Sequence, residues 1–138
     1  MIFQATQEIY DAMIAADLKC RIQENDESSA VTAGVRGDNC DFDILFISRD
    51  NDADASMRIF NIAKFPAEKM AAVCVAVNEC NGKYRYLRFT ADDDNTVTAA
   101  YDFAVNTENV GKGAVELCMR AMNIVDECYP IIMKAIYS

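Results

Sequence analysis

Residues 66–106 read PAEKMAAVCVAVNECNGKYRYLRFTADDDNTVTAAYDFAVN, and the change of hydrophobic period inside this stretch decides the fold class. Pro66 suits a first helical position, where its missing N–H goes unused, and Glu68 in the opening turn suits the positive end of the helix dipole. Met70, Val73, Cys74, Val77 and Cys80 then recur at steps of three and four, which is one face of a helix over 66–81, with Asn81-Gly82 as its close. After Gly82 the period falls to two. Residues 84–91 and 96–106 read as strands joined by the turn Asp92-Asp93-Asp94-Asn95. Within the second, Val97, Ala99, Tyr101, Phe103 and Val105 alternate without a break, as in a strand with one face on a core and one face wet.

The same reading extends in both directions. Upstream, Ile2, Ile9, Met13 and Ala16 form a helical stripe that gives way after Asp17 to the alternation Leu18, Cys20, Ile22. Asn25 to Ser29 has turn chemistry, Val31, Ala33 and Val35 alternate again, and 34–38 is a second turn region. Two further strands, 42–47 and 57–62, flank a polar loop. Downstream, Val110, Ala114, Leu117, Ala121, Ile124, Cys128 and Ile131 make one stripe of a long helix, and Cys118, Met122, Val125, Tyr129, Ile132 and Ile136 make a second beside it. Two adjacent stripes suit a helix lying flat across a sheet. Pro130 is expected to kink it. The order of helix, three or four strands, helix, two strands, helix means α+β with an antiparallel sheet, not a parallel nucleotide-binding sheet.

A chain of 138 residues and 15.3 kDa is one domain's worth, and the expectation is a single domain over 1–138. Thirteen basic and 22 acidic residues give a net charge of -9, which disfavours phosphate backbones and anionic lipid, so no nucleic acid and no membrane partner is expected. Histidine is absent, which removes Ser-His-Asp and Cys-His machinery and histidine-ligated metals. The opening residues lack a basic secretory leader and no apolar run is long enough to span a bilayer, so a cytoplasmic location is expected. The six cysteines show no paired knuckle spacing and read as reduced, mostly buried small hydrophobes.

Few motifs carry chemistry. Asp50, Asp52 and Asp54 occupy positions one, three and five of an EF-hand-like loop, but Ala55 stands where the sharp turn needs glycine and Asn61 where a bidentate glutamate should be. A solvated hairpin loop is favoured, and no metal is assigned. The acids at 92–94 read as a wet hairpin tip. Between Glu24 and Asp54 nine acids meet only Arg36 and Arg49, an acidic region that suits either a basic partner or plain solubility. Gly111-Lys112-Gly113 lacks the context of a phosphate loop and reads as flexibility at a helix start. No catalytic residue is selected by any spacing, no cofactor is expected, and an enzyme is not expected.

Phe65-Pro66, the helix end Val77-Asn78-Glu79-Cys80-Asn81, the strand Tyr86-Leu87-Arg88-Phe89, the acidic turn, Thr96-Val97 and the late segment Asp126-Glu127-Cys128-Tyr129-Pro130 together resemble the YbjN-type domain, a family described as a sensory transduction regulator of bacteria. Asn95 departs from the family's usual glycine in the acidic turn, and the 50–56 loop is peculiar to this chain. The resemblance implies the fold of type III secretion chaperones: α-β-β-β-α-β-β-α with a curved antiparallel sheet packed by helices and room for one extra strand. It implies no catalytic residues. The expected function is a non-catalytic protein-binding module, chaperone-like or regulatory, with a protein partner or a second copy as partner. Its dimer surface would be the exposed part of the 66–81 helix or the wide face of the last one. The alternative is a small-ligand or metal-binding sensor domain that uses loop 50–56 or the sheet concavity.

Overall fold

Helix α1, Gln4–Ala15, stops because Asp17 turns left-handed at φ 63°, which lets the Asp17 N–H reach the Ile14 carbonyl at 3.0 Å and the Leu18 N–H reach the Met13 carbonyl at 2.9 Å. Its start is tied to the sheet. The Phe3 N–H donates to Ser29 Oγ at 3.1 Å, and the buried hydroxyls of Thr6 and Ser29 meet at 2.7 Å. The chain, seen here in a computed structural model that describes residues 1–50, 55–104 and 108–138, then runs through β1 Arg21–Glu24, β2 Ser29–Arg36, β3 Asp41–Ser48 and β4 Ala55–Lys64. A 3-10 turn Ala67–Lys69 leads into α2 Met70–Lys83. Then come β5 Arg88–Ala91, β6 Thr96–Asp102 and the long α3 Val110–Tyr137.

All strand pairs are antiparallel, in the open order β1-β2-β3-β4-β6-β5. Four strands precede α2, so the extra strand is present. The inward residues of each strand form the core with the helices: Val31, Ile44, Phe46, Met57, Ile59 and Val97 from the sheet are fully buried, as are Ile9, Met13, Val73, Val125 and Ile132 from the helices. These belong to one hydrophobic cluster, with the helices on one face of the sheet and the other face left open. Phe103 fills the space beside α3, its ring centroid 6.3 Å from Phe46 and 5.1 Å from Tyr101.

Several local expectations need correction, among them the strand expected over 96–106, which ends at Asp102. The helix expected to begin at Pro66 opens as a 3-10 turn, and it runs through Gly82 to Lys83, because Gly82 keeps a right-handed backbone and the close comes at Tyr84 in extended conformation. Residues 84–87 are not strand. Tyr86 sits at φ 77° and the Leu87 N–H bonds back to the Arg85 carbonyl at 3.0 Å, so β5 is limited to four residues. Strand β4 runs past residue 62, absorbing a bulge at which Asn61 is left-handed at φ 55°. The glycines of Gly111-Lys112-Gly113 serve packing, not flexibility. A Cβ on Gly111 would stand 2.6 Å from the Glu8 carbonyl oxygen and 2.8 Å from Ala12 Cβ, while one on Gly113 would stand 3.2 Å from the Phe103 ring. The left-handed residue at that helix start is Asn109, at φ 55°.

Helices α1 and α3 therefore meet backbone to side chain at Gly111, whereas nothing lies within 4 Å of a Cβ placed on Gly82. Gly111→Ala should destabilise the chain by about 1–3 kcal/mol through overpacking, and Gly82→Ala should stabilise it by about 0.5–1 kcal/mol by removing a flexible residue from a helix. Urea unfolding of both variants checks this; effects of the same sign would contradict the α1–α3 contact.

Candidate functional site

In the segment Asp126-Glu127-Cys128-Tyr129-Pro130 of α3, Cys128 is buried and Glu127 and Pro130 are exposed, and the first three residues reach the β2–β3 turn and α2 with its end. Pro130 has no N–H to give to the carbonyl four residues earlier, so the Asp126 carbonyl is released from the helix ladder. Asn39 Nδ2, in the turn between β2 and β3, donates to that oxygen at 3.0 Å. The Asp126 carboxylate completes the clamp: Oδ1 accepts the Asn39 N–H at 2.6 Å and the Cys40 N–H at 3.2 Å. Gly37 is required by this approach, since a Cβ there would fall 2.3 Å from Asp126 Oδ1. Burial, with the nearby negative charges of Asp126 and Asp41, pushes the Cys40 thiol up to about 11.

Glu127 accepts a hydrogen bond from the Tyr84 hydroxyl just past the end of α2. That bond favours the neutral phenol and pushes Tyr84 up to about 12. Cys128 meets Cys80 of α2 in the core: Cys80 Sγ lies 4.0 Å from the Cys128 carbonyl, and neither residue is exposed. The hydrogen bond between the two thiols raises Cys128, burial adds to the rise, and the same bond lowers Cys80. One residue on, Asn81 binds the β5 backbone from both sides, accepting the Phe89 N–H at 2.7 Å and donating to the Phe89 carbonyl at 3.0 Å. An amide side chain thus occupies the hydrogen-bonding groups of an edge strand. Asp126, Glu127, Cys128, Cys80 and Asn81 of the quoted motifs are thus structural ties.

The acidic motifs fare similarly. Asp52 and Asp54 of the expected loop lie outside the described residues; Asp50 is exposed at the end of β3. In the tip between β5 and β6, Asp92 accepts hydrogen bonds from the hydroxyls of Thr90, at 2.8 Å, and Thr98, and Asp94 accepts one from Thr96 at 2.6 Å. Asn95 takes the left-handed backbone expected of it, φ 63°, and its carbonyl accepts the Phe65 N–H at 3.0 Å. Among the described residues no group of three or more histidine, cysteine, aspartate or glutamate side chains is placed to hold a metal ion. The six cysteines are all unpaired. Cys80, Cys118 and Cys128 are buried, Cys20 and Cys40 half-buried, and Cys74 exposed. Burial pushes Cys118 up to about 11.

The sequence points to the exposed side of the 66–81 helix and to the sheet without naming residues, and two surface features have linings that it does not specify. One is a shallow apolar groove of about 380 Å³ between α2 and the end of α3, lined by Ala72, Val75, Ala76, Ile131 and Ala135 with Glu79 and Lys134 on its rim. Val75 is 72% exposed there. The other is a trough on the open sheet face where β1, β2 and β3 meet, with Lys19, Arg21 and Arg36 among its lining residues. Further along that face, Arg58 bonds Asp102 at 2.7 Å and holds its carboxyl below the ordinary range. Two signals were available in the sequence: Val75 interrupts the polar side of a helical repeat, and Arg21 and Arg36 occupy the outward phase of their strands.

The sharing of the Asp126 carbonyl between Pro130 and Asn39 is measurable by a double-mutant cycle. Asn39→Ala should cost about 1 kcal/mol in the parent chain. In a Pro130→Ala background, where an N–H at position 130 returns to the ladder, the loss should shrink by about 0.5–1 kcal/mol. Strict additivity in chemical unfolding would contradict the arrangement.

No curated protein matches the chain. The family model for YbjN, described as "Putative bacterial sensory transduction regulator", matches residues 6–129, from the first turn of α1 to the residue before Pro130. The match spans β1 to β6 and the motif residues Asp126, Glu127 and Cys128 with their partners, and stops one residue short of Pro130. It describes a regulator and names no reaction. Among the described residues, no helix is long and apolar enough to cross a membrane. Fold, motif contacts and family match agree, and the chain belongs to the YbjN family.

Proposed function

We propose that this chain is a regulatory module that works by binding protein, without catalysis, and that a second copy of itself docks over the groove between α2 and the end of α3. The observation that carries the reading is Val75, 72% exposed in a groove that it shares with Ala72, Ala76, Ile131 and Ala135. An exposed valine ringed by alanine and isoleucine gains by being covered, at roughly 25 cal/mol for each Å² of apolar area removed from water. Glu79 and Lys134 on the rim supply one acid and one base to the same patch. A two-fold axis through such a patch sets each acid against the base of the other copy, as a self-complementary interface requires.

Three further points support this reading. The motif residues at 126–128 are committed to internal contacts with the β2–β3 turn and α2. The resemblance to secretion chaperones implies small, acidic and often dimeric proteins. Six unpaired thiols suit a reducing compartment, which favours the cytoplasm. A net charge of -9 argues against nucleic acid or anionic lipid as the partner.

Light scattering across the micromolar range tests the self-docking. The parent chain should be a dimer and Val75→Glu a monomer. The variant should keep the parent's circular dichroism spectrum and lose the concentration dependence of the parent's melting temperature, because self-association stabilises only the folded chain. A parent chain that stays monomeric throughout that range would overturn the docking.

A further inference from the structure

The sheet face turned away from the helices carries a trough of about 690 Å³ at the β1–β2–β3 corner. The strand register determines what lines it. Arg21 pairs with Thr32, Gly34 with Asp43 and Arg36 with Asp41, so these residues share the outward face. Lys19, two residues before Arg21, extends the same side. The trough thus has a cationic wall on the β1 side, a floor of Thr32 and Gly34 on β2, an acidic wall of Asp41 and Asp43 on β3, and Arg36 at one end.

Three independent observations mark it as a built site. In a chain of net charge -9, this corner gathers three cations against two acids. No ion pair joins any of these cations to a carboxylate among the described residues. Lys19 and Arg21 stand two strand spacings, about 10 Å, from the acids of β3, whereas Arg36 lies directly across from Asp41 in the register and still makes no ion pair with it. Next, Thr32 is 4% exposed, and its buried hydroxyl has no hydrogen-bond partner among the described residues. Finally, Gly34 is not demanded by the backbone. Its φ is not positive, and the nearest atom to an added Cβ is Asp43 Oδ1 at 3.6 Å, an ordinary contact. Glycine weakens a strand interior, so its presence here leaves space where a side chain would otherwise stand.

We propose that this trough binds a small zwitterion whose carboxylate and ammonium groups lie several ångströms apart. The carboxylate lies against Arg21 and Lys19, within reach of the Thr32 hydroxyl once the side chains above it part, and the ammonium lies against Asp41 and Asp43. A simple anion would meet the repulsion of the acidic wall, and a simple cation that of Lys19, Arg21 and Arg36. The site lies on the face opposite the helices, so it stands or falls separately from docking over the α2–α3 groove.

The test is an NMR titration of the ¹⁵N-labelled chain with 6-aminohexanoate, hexanoate and hexylamine, which share one carbon-chain length and differ only in their charged ends. The expected result is a saturable shift of the Thr32 and Gly34 amides by 6-aminohexanoate, with the two single-charge probes binding about tenfold more weakly or worse. Arg21→Gln should weaken 6-aminohexanoate about tenfold. Gly34→Val should abolish binding while raising the melting temperature, because the branched side chain fills the trough and favours the strand. Equal binding of the three probes, no saturable shift at Gly34 at tens of millimolar, or unchanged binding by the Gly34→Val variant would each overturn the proposal. Should that variant fail to fold, Arg21→Gln decides, and unchanged affinity there overturns it.

Discussion

The carbonyl of Asp126 is the point on which the long-range order of this fold turns. A proline inside a 28-residue helix is ordinarily a defect, because it removes one ladder hydrogen bond and crowds the preceding turn. Here the freed acceptor is bound by the Asn39 side chain, 87 residues earlier in sequence, and the Asp126 carboxylate accepts the backbone N–H groups of Asn39 and Cys40 in the same turn. A local loss in α3 is thereby converted into a tether between the last helix and the far hairpin. The tether needs Gly37, since any side chain there would collide with the carboxylate. Proline, aspartate, asparagine and glycine, scattered over the chain, are thus parts of one contact.

The other ties radiate from the same stretch of helix. Glu127 holds Tyr84, Cys128 packs on Cys80, and next to Cys80 Asn81 occupies the backbone groups of Phe89 on edge strand β5. One turn of α3 therefore fixes the β2–β3 turn, the end of α2 and, through α2, an edge of the sheet. The remaining edge, β1, is only four residues long, which limits the template it offers for unwanted strand pairing. With the motif residues spent in this way, the surfaces left for partners are those that no motif touches: the outer side of α2 and the open face of the sheet.

How much of this was legible in the sequence depends on the range of the interaction. Period alone located the three helices and the strands, because an amphipathic element writes its own burial into its spacing; the alternation from Val97 to Tyr101 and the paired stripes of α3 are examples. Asn95 was legible for a similarly local reason, since a tight turn needs a left-handed residue and asparagine tolerates it. Gly82 was misread because a glycine near a helix end closes many helices, yet here nothing forces the turn and α2 continues to Lys83. Gly111 was misread because its reason is the Glu8 carbonyl, more than a hundred residues away. The partnership of Asn39 with the Asp126 carbonyl left no local trace. The cationic corner was hidden by arithmetic: summing charge over residues 24–54 counts Arg36 against nine acids and leaves out Lys19 and Arg21, while the register sorts all of them by face.

That sorting also explains how a strongly acidic chain keeps a basic corner without neutralising it. Successive residues of a strand point to opposite faces, so the outward phase of β1 and β2 can be cationic while the adjacent β3 phase is acidic. Pairing from the β1 side would need Lys19 or Arg21 to extend fully across β2. Aspartate is short, and Lys19 and Arg21 stand two strands away across a floor that at Gly34 has no side chain at all, while Arg36 faces Asp41 in the register without forming an ion pair. Replacing Asp41 and Asp43 by glutamate would lengthen the acidic wall by one methylene and bring pairing with Arg36 and Arg21 closer. The choice of the shorter acid and the absent side chain act in the same direction, holding opposite charges apart on a wet face where exposed ion pairs are worth less than about 1 kcal/mol. Charges kept apart in this way remain free to be satisfied by something else.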